Sequence, residues 1–270
     1  KKNIRGLWHL RRALAQRKID ILNTHSSTDS WLSALACLTF PNPPFIVRPR
    51  HISAPLTRNP ATRWLYTRAT RHIVTTGERL RLQLQEEIGV EATKATSVPT
   101  GIDTQRFAPG DQQAARRRTG LPTTKLIIGI VATLRSWKGH RFLVDALAKM
   151  ARDDVHLAII GDGPQWQAIN EQVARLGLAA RVTLAGNQSD VVPWLQSSDI
   201  FVLPSYANEG VPQAILQAMS CGLPVISTPV GSIGEILTPG ENGLMVKEKD
   251  VDSLAESLVR LADDAVLRDR

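Results

Sequence analysis

The sequence is poor in the residues that build disulfide or metal frameworks. The chain of 270 residues has only two cysteines, Cys37 and Cys221, which lie far apart. They provide neither a disulfide framework nor a zinc-binding spacing. The six histidines are scattered, and no group of acidic residues is placed to hold a metal. We therefore expect no metal and no cofactor, and the cysteine usage is typical of a reducing, cytoplasmic compartment.

Long apolar runs are also missing. The longest, "WLSALACLTF" at residues 31–40, has ten residues, whereas a membrane-spanning helix needs about 20. The first residues of the chain are basic, as in a signal peptide, but Arg11 and Arg12 interrupt the apolar segment that a signal peptide requires. Internal repeats and low-complexity tracts are absent from the sequence as well.

Acidic residues are scarce in the first part of the chain. Residues 1–107 contain 17 Lys and Arg against 7 Asp and Glu, a balance of +10, whereas residues 108–270 contain 16 against 18, a balance of −2. A basic surface suits nucleic acid, an anionic membrane leaflet or a phosphorylated acceptor, although it also serves solubility alone. Aromatic and basic residues do not interleave as in nucleic-acid-binding proteins, so we expect no nucleic-acid partner.

Short runs rich in β-branched residues alternate with segments of helical periodicity. The predicted strands are residues 19–24, 45–48, 72–76, 126–132, 155–160, 182–185, 200–203 and 224–227. Helical patterns between them include residues 140–150, 165–176 and 212–221. Continuous apolar strands that alternate with helices indicate α/β folding, with parallel sheets covered on both faces.

A domain boundary is predicted within "RFAPGDQQAARRRTGLPTTK", residues 106–125, which is polar, basic and rich in helix breakers. We expect a first α/β domain at residues 1–107, a linker at 108–122 and a second domain at 123–270. Ligands bind at the carboxyl ends of strands in open parallel sheets, so both domains are expected to direct these ends into a shared cleft.

The first candidate site lies in "DIFVLPSYANEGVPQAILQAMSCGLPVIST", where Glu209 follows a predicted buried strand and Pro212 suits the first helical position. A helix N-terminus preceded by small residues binds anions. Its available N–H groups would be those of Gly210, Val211, Gln213 and Ala214. Glu209 would repel a phosphate, so we expect it to accept hydrogen bonds from hydroxyl groups. The alternative is that Glu209 merely caps the helix, which Glu does poorly.

Three further loops follow predicted strands. Arg135 and Lys138 in "ATLRSWKGH" give two cations on one loop, as a diphosphate requires, although exposed loops often contain such residues. Gly161 and Gly163 in "IIGDGP" favour a tight turn near a nucleotide over a nicotinamide site, because a third glycine and a partner acid are missing. In "FIVRPRHIS", His51 follows a predicted strand end and two arginines. It either supports the fold, as a lone histidine usually does, or belongs to a functional site.

Together, these elements resemble the retaining family 4 glycosyltransferases of the GT-B fold. The resemblance rests on "ATLRSWKGH", "IIGDGP", "VTLAGNQSDVVPWLQSSDIFVLPS", "EGVPQAILQAMSCGLPVIST" and "VGSIGEIL…GENGLMV", in this order, and on the earlier "SVPTGIDTQRFAP". It implies two Rossmann-like domains that face a cleft, a metal-independent transfer with retention, and a nucleotide-sugar donor bound mainly by the second domain.

The resemblance also implies roles for individual residues. Arg135 and Lys138 match the diphosphate-binding pair, Glu209 matches the acid that contacts the donor sugar, and His51 matches the active-site histidine of the first domain. Gln217 stands where the family usually has a second acid that holds the ribose. The predicted catalytic residues are thus Glu209, His51, Lys138 and Arg135. The predicted donor-binding residues are Arg135, Lys138, Gly163, Glu209, Gly210, Val211, Gln213 and Gln217.

The expected function is transfer of a sugar from a nucleotide-sugar donor, with a UDP-sugar expected, to a saccharide or lipid-linked acceptor in bacterial surface glycan synthesis. The alternatives are a non-catalytic nucleotide-sugar-binding protein and a nucleotide-sugar epimerase on the same fold. The family's first strand with its Gly-rich loop and its C-terminal helix have no counterpart in the sequence. We therefore expect a fragment with an incomplete first domain, which by itself is expected to be inactive.

The first 18 residues, "KKNIRGLWHLRRALAQRK", allow two interpretations. They are a basic amphipathic helix on an anionic membrane surface, which would place the protein at the inner face of the cytoplasmic membrane, or a surface helix whose apolar stripe packs on the first domain. The residues concerned are the basic Lys1, Lys2, Arg5, Arg11, Arg12, Arg17 and Lys18 and the apolar Ile4, Leu7, Trp8, Leu10 and Leu14.

Overall fold

The computed structural model describes residues 2–51 and 55–269, with side chains from Ile4 onward. The chain divides into two compact units, Lys1–Thr100 and Gly101–Arg270. Each unit is built around its own parallel sheet with its own apolar core. The predicted α/β class with parallel sheets is confirmed.

The first unit has a four-stranded parallel sheet in the order β1-β2-β3-β4. Its strands are β1 (Ile21–Asn23), β2 (Phe45–Arg50), β3 (His72–Thr75) and β4 (Ala95–Ser97). Its helices are α1 (Lys2–Gln16), α2 (Ser27–Cys37), α3 (Pro60–Trp64), which continues into a π-helical turn (Leu65–Ala69), and α4 (Glu78–Ile88). A 3₁₀ turn, Ala92–Lys94, precedes β4.

Local sequence signals account for the ends of these helices. Helix α2 begins with a capping box, in which the Ser26 hydroxyl accepts from the Asp29 backbone N–H and the Asp29 carboxylate accepts from the Ser26 backbone N–H. Helix α4 ends at Gly89, whose φ of 79° suits a residue without a Cβ. Ile46 of β2 and Ile73 of β3 pack with Tyr66 and Leu84 to form the core of this unit.

The second unit has a six-stranded parallel sheet in the order β10-β9-β8-β5-β6-β7. Its strands are β5 (Leu126–Val131), β6 (Val155–Ile160), β7 (Val182–Gly186), β8 (Ile200–Leu203), β9 (Val225–Ser227) and β10 (Leu244–Met245). Its helices are α5 (Gln112–Thr119), α6 (His140–Lys149), α7 (Trp166–Arg175), α8 (Val192–Ser197), α9 (Gln213–Ser220), α10 (Val251–Asp263) and α11 (Ala265–Asp269). Three 3₁₀ turns complete it: Ser136–Lys138, Ala179–Arg181 and Ile233–Glu235.

The strand order of the second unit reverses between β5 and β8. From β5 the chain builds outward through β6 and β7, and then returns to the other side of β5 to add β8, β9 and β10. The connections that follow β5 and β8 therefore run to opposite sides of the sheet. In doubly wound sheets this reversal opens a crevice at the carboxyl ends of the two strands, and ligands bind there.

Each of the eight predicted strands overlaps an observed strand, but two short strands, β4 and β10, were not predicted. The predicted linker at 108–122 contains helix α5 and belongs to the second unit. Pro212 is the N-cap of α9, with ψ of 122°, and the prediction of Pro212 as the first helical residue is wrong. In residues 2–51 and 55–269, no helix is long and apolar enough to cross a membrane.

Candidate functional site

The loops that follow β5 and β8 approach each other closely where the strand order reverses. The loop after β5 passes through Arg135 and the 3₁₀ turn to Gly139, whose φ is 78°. A Cβ at Gly139 would lie 2.0 Å from the carbonyl oxygen of Pro204, which follows β8. The Tyr206 backbone N–H also donates to the Trp137 carbonyl oxygen at 2.8 Å. Glycine is therefore needed at this position because a side chain would separate the two loops.

The carboxylate of Glu209 is buried in this junction and is held by two side chains. Its Oε1 accepts hydrogen bonds from Lys138 Nζ at 2.6 Å and from Ser205 Oγ at 2.6 Å. Only 4% of Glu209 is exposed. A Cβ at Gly231 would lie 2.0 Å from the Glu209 carbonyl oxygen, so the loop after β9 packs on the Glu209 main chain. The charge of Lys138 offsets the cost of burying this carboxylate.

Arg135 and Lys138 are placed differently, although they share one loop. Lys138 is half-buried in its ion pair, whereas Arg135 is exposed. The Arg135 guanidinium lies 5.7 Å from the centre of the Trp137 ring. Within the part of the chain that the structure describes, it makes neither an ion pair nor a hydrogen bond. Arg135 therefore presents a free guanidinium at the carboxyl end of β5.

The glycine turn after β6 packs against the start of the same loop. Gly161 and Gly163 have φ angles of 139° and 157°, and a Cβ on Gly163 would lie 2.9 Å from both N and O of Leu134. The Leu134 backbone N–H donates to the Asp162 carbonyl oxygen at 3.0 Å, and Leu134 O accepts from Gln165 N at 3.0 Å. The structure thus brings the predicted Gly163 beside the residue that precedes Arg135.

Helix α9 begins four residues after Glu209. Gly210 and Val211 are buried, Gln213 is exposed and Gln217 is half-buried. Gln213 and Gln217 are one helical turn apart and so lie on one face of α9. No described side chain caps this helix start, which leaves backbone N–H groups of its first turn available to an anion.

Sequence analysis did not single out His140, which is the first residue of α6. It is 2% exposed, and neither ring nitrogen has a hydrogen-bond partner among the described residues. Burial, together with the nearby Lys138 charge, lowers the pKa of His140 to about 4. His140 is therefore neutral at neutral pH. The only signal in the sequence is its position between Gly139 and the apolar Phe142–Leu143 pair.

The predicted His51 belongs to the first unit, directly after β2, and it is exposed. Its ring stacks on that of His25, which follows β1, with a centroid distance of 5.8 Å and an interplanar angle of 1°. The sequence did not single out His25. Parallel pairing of β1 with β2 brings the two histidines together because both follow carboxyl ends of neighbouring strands.

The described residues contain no cluster of side chains that could bind a metal ion. In residues 2–51 and 55–269, no group of three or more His, Cys, Asp or Glu side chains is arranged to hold an ion. The two cysteines are buried and unpaired, and burial raises the pKa of the Cys221 thiol to about 11. The groups that can bind an anion at the junction are thus Arg135, Lys138 and main-chain N–H groups.

Comparisons with known proteins cover both units. Residues 125–264 match the family described as glycosyl transferases group 1, and residues 1–106 match glycosyltransferase family 4. The D-inositol 3-phosphate glycosyltransferase of Stackebrandtia nassauensis is 33% identical over 66% of this chain and 43% of its own length. The UDP-Gal:alpha-D-GlcNAc-diphosphoundecaprenol alpha-1,3-galactosyltransferase of Escherichia coli is 27% identical over 98% of this chain and 72% of its own length.

Among solved structures, Anabaena HepE in complex with UDP-glucose superposes with a TM-score of 0.86 at 20% identity. The match covers 97% of this chain and 74% of HepE. At this identity the likeness shows the fold alone. The chain spans about half the length of the first curated relatives, 43% and 51%.

Proposed function

The chain belongs to the group 1 glycosyltransferases of family 4, and from this premise we propose that the protein transfers a sugar from a nucleotide-sugar donor to a glycan or lipid-linked acceptor. The observation that carries the proposal is the meeting of Arg135, Lys138 and Glu209 where the strand order of the second sheet reverses. Arg135 and Lys138 are two cations that can bind a diphosphate, and the neighbouring Glu209 can accept hydrogen bonds from sugar hydroxyls.

In the proposed reaction, the bond between the sugar C1 and the donor diphosphate breaks, and the nucleoside diphosphate leaves with both electrons of that bond. Arg135, Lys138 and the free N–H groups at the start of α9 stabilise the negative charge that develops on the leaving group. Glu209 accepts hydrogen bonds from the sugar hydroxyls and so orients the ring. The acceptor hydroxyl oxygen attacks C1 to form the new glycosidic bond and its proton passes to the imidazole of His51, and we propose retention of configuration from the family resemblance.

We propose a UDP-sugar as the donor. Support comes from the Escherichia coli relative, whose name specifies UDP-Gal, and from the Anabaena structure, which contains UDP-glucose. Gln217 would contact the ribose. A glutamine offers both an acceptor and a donor to ribose hydroxyls, while it adds no negative charge near the diphosphate.

We propose that His51 acts on the acceptor side. It is exposed at the carboxyl edge of the first sheet, where a substrate hydroxyl has access to its ring. Stacking on His25 restricts the plane of the ring. A neutral imidazole in that position can accept a proton from an attacking hydroxyl.

We further propose that the protein works at the cytoplasmic face of an anionic membrane, with α1 in contact with lipid. Leu14 of α1 is buried and Leu7 and Leu10 are half-buried, so this stripe packs on the first unit. Ile4, Trp8 and the arginines of α1 are exposed. Lys1, which is part of the predicted membrane-binding segment, lies outside the described residues. No acidic residue occurs in α1. Flotation with anionic and neutral vesicles tests this, and equal recovery would contradict it.

A non-catalytic nucleotide-sugar-binding protein is the second candidate, because Gln217 replaces the family's second acid. The experiment that separates the candidates measures two quantities on the full-length protein. UDP binding by calorimetry reports the donor site, and release of UDP from UDP-sugars with a panel of acceptor lipids and glycans reports transfer. Binding without turnover on any acceptor favours the binding protein, and absence of UDP binding contradicts the UDP-sugar donor in both candidates.

A further inference from the structure

The first unit contains a buried cation, Arg48, that forms no ion pair within the described residues. Arg48 of β2 is 7% exposed, and its Nη1 has no hydrogen-bond partner among the described residues. It forms no ion pair with any carboxylate of residues 4–51 and 55–269. Buried charges in folded proteins are normally paired or bound to an ion, because removing an ion from water costs several kcal/mol. The environment of Arg48 thus lacks an anion.

A second guanidinium lies beside the first. Arg48 and Arg50 are two residues apart on β2, so their side chains leave the same face of the sheet. The Arg48 Cζ lies 4.3 Å from the centre of the Tyr66 ring, and Arg50 Nη1 donates to Tyr66 Oη at 3.2 Å. Tyr66 is 1% exposed, so both arginine side chains contact a buried ring. Burial and the charge of Arg50 both lower the pKa of Arg48, while the nearby Tyr66 and Asp29 oppose this.

Asp29 is the carboxylate whose charge raises the pKa of Arg48, and it already accepts other hydrogen bonds. Asp29 accepts hydrogen bonds from the backbone N–H of His25 at 2.9 Å, from that of Ser26 at 2.8 Å and from the Ser26 hydroxyl at 2.9 Å. These contacts cap α2. Asp29 therefore attracts Arg48 at a distance but does not bond to its guanidinium.

The place of this pair in the fold indicates a ligand. Arg50 is the last residue of β2, and it stands opposite Thr75 at the end of β3. His25 and His51 follow the ends of β1 and β2. These residues occupy the carboxyl edge of the first sheet, which is where open parallel sheets bind ligands. Residues 1–107 also carry the chain's positive excess of +10, which attracts an anion towards this unit.

We propose that Arg48 and Arg50 bind a phosphate group of the acceptor at the carboxyl edge of the first sheet, beside His51. The inference rests on the proposed function and adds the acceptor's chemical class: a saccharide that carries a phosphate or diphosphate, free or lipid-linked. Planar guanidinium groups match phosphate oxygens with paired hydrogen bonds. The donor phosphates are assigned to Arg135 and Lys138 in the second unit, so this anion is a different one.

The test measures sugar phosphate binding to full-length protein that has been saturated with UDP, so that the donor site is filled. The probe is glucose 1-phosphate, titrated by calorimetry beside glucose and beside inorganic phosphate. We expect glucose 1-phosphate to bind at least tenfold more tightly than glucose. Arg50→Gln and, in a second variant, Arg48→Gln should each weaken it about tenfold or more, as expected for a lost charge-assisted contact. The matched control is Arg68→Gln, which removes an exposed arginine of the same unit.

The outcomes separate this inference from the proposed function. Both variants should keep the UDP affinity of the parent, which shows that the second unit is folded, and its free energy of unfolding in urea, which shows that the first unit is folded as well. Glucose 1-phosphate binding that is absent, or unchanged in both variants, overturns the inference while UDP binding still supports a donor site. Inorganic phosphate that binds as tightly as glucose 1-phosphate overturns the assignment to an acceptor sugar. If UDP does not bind at all, the proposed UDP-sugar donor is wrong, and the titration without UDP still decides whether the two arginines bind a phosphate.

Discussion

Lys138 Nζ lies 2.6 Å from Glu209 Oε1, although the two residues are 71 positions apart in the sequence. Lys138 follows β5 and Glu209 follows β8, so this ion pair joins the two loops between which the strand order of the second sheet reverses. A lysine that is proposed to bind a diphosphate thus also neutralises the acid that is proposed to bind the sugar. The two parts of a nucleotide sugar would be recognised by one coupled pair.

This coupling predicts that Arg135→Ala and Lys138→Ala differ in stability although both weaken UDP binding. Each substitution removes a charge-assisted contact of about 1.5–3 kcal/mol, which lowers UDP affinity about tenfold or more. Arg135 is exposed and has no fold-supporting ion pair, so its variant should keep the parent's free energy of unfolding. Lys138→Ala strands the buried Glu209 carboxylate and should lose about 1–3 kcal/mol of stability. Calorimetry with UDP and urea denaturation measure the two effects.

The double variant Lys138→Met, Glu209→Gln provides the control for that interpretation. It removes both charges, so it should be more stable than Lys138→Met alone. Unchanged UDP affinity in both alanine variants would contradict the diphosphate assignment. Equal stability of Lys138→Ala and Arg135→Ala would show instead that Glu209 does not depend on the lysine.

How much of this site was predictable depends on the range of the interactions. Arg135, Lys138 and Glu209 were found because each lies next to an apolar strand whose pattern is local. The Lys138–Glu209 and His25–His51 contacts depend on which strands become neighbours, and strand order is not visible in local periodicity. Helix α5 lies within residues 108–122, which we predict as a linker because that stretch is polar, basic and contains several proline and glycine residues. Yet Arg116 in that helix is buried in an ion pair with Asp199 at 2.6 Å, which compensates its charge.

Ser205 is predicted to position Glu209 rather than to touch the donor phosphates. Its hydroxyl donates to Glu209 Oε1 at 2.6 Å, and both residues are buried. Ser205→Ala should lower the turnover of sugar transfer at least tenfold while UDP affinity stays within about twofold, because the lost hydrogen bond to a carboxylate contributes about 1.5–3 kcal/mol and acts on the sugar side only. Ser205→Thr keeps the hydroxyl and should restore part of the turnover. A fall in UDP affinity that matches the fall in turnover would argue against this role.

Acid should destabilise the second unit through its buried histidines. Burial, followed by the Lys138 charge, lowers the pKa of His140 from 6.5 to about 4, and burial lowers that of His156 to a similar value. Between these pH values the unfolded chain binds protons that the folded chain does not, so stability is full above about pH 6.5 and falls towards pH 4. For His140 the loss is roughly 3 kcal/mol, at about 1.4 kcal/mol for each unit of pKa shift, and the loss for His156, which is closer to solvent, is smaller.

Denaturation at a series of pH values tests this with His140→Leu. Between pH 6.5 and 4, the unfolding free energy of the variant should fall less steeply than that of the parent. The difference in slope corresponds to about one bound proton, or about 1.4 kcal/mol per pH unit. Substitution of the exposed His25 by leucine is the matched control and should leave the slope unchanged. An identical slope in His140→Leu and the parent would mean that His140 does not resist protonation in the folded state.

Transfer should not require a divalent ion. Arg135, Lys138 and the start of α9 supply the positive potential that a metal supplies in other enzymes that use nucleotide sugars. Activity of the full-length protein in excess chelator should therefore stay within about twofold of that in magnesium, since no lost contact is expected. Complete loss of transfer that added metal restores would contradict the prediction, and a parallel assay on a metal-dependent glycosyltransferase shows that the chelator is effective.

Gln217 is predicted to bind the ribose of the donor, in place of the carboxylate that the family resemblance implies. It is half-buried on α9, one turn after Gln213 and near the loop that holds Glu209. Because a neutral hydrogen bond contributes about 0.5–1.5 kcal/mol, Gln217→Ala should weaken UDP-sugar binding by about two- to tenfold. A carboxylate accepts from both ribose hydroxyls with stronger, charge-assisted bonds, so Gln217→Glu should bind the donor as well as the parent or better. Gln167→Ala, on the exposed face of α7, is the matched control. Donor affinity that is untouched by Gln217→Ala but destroyed by Gln217→Glu would show that this position serves something other than the ribose.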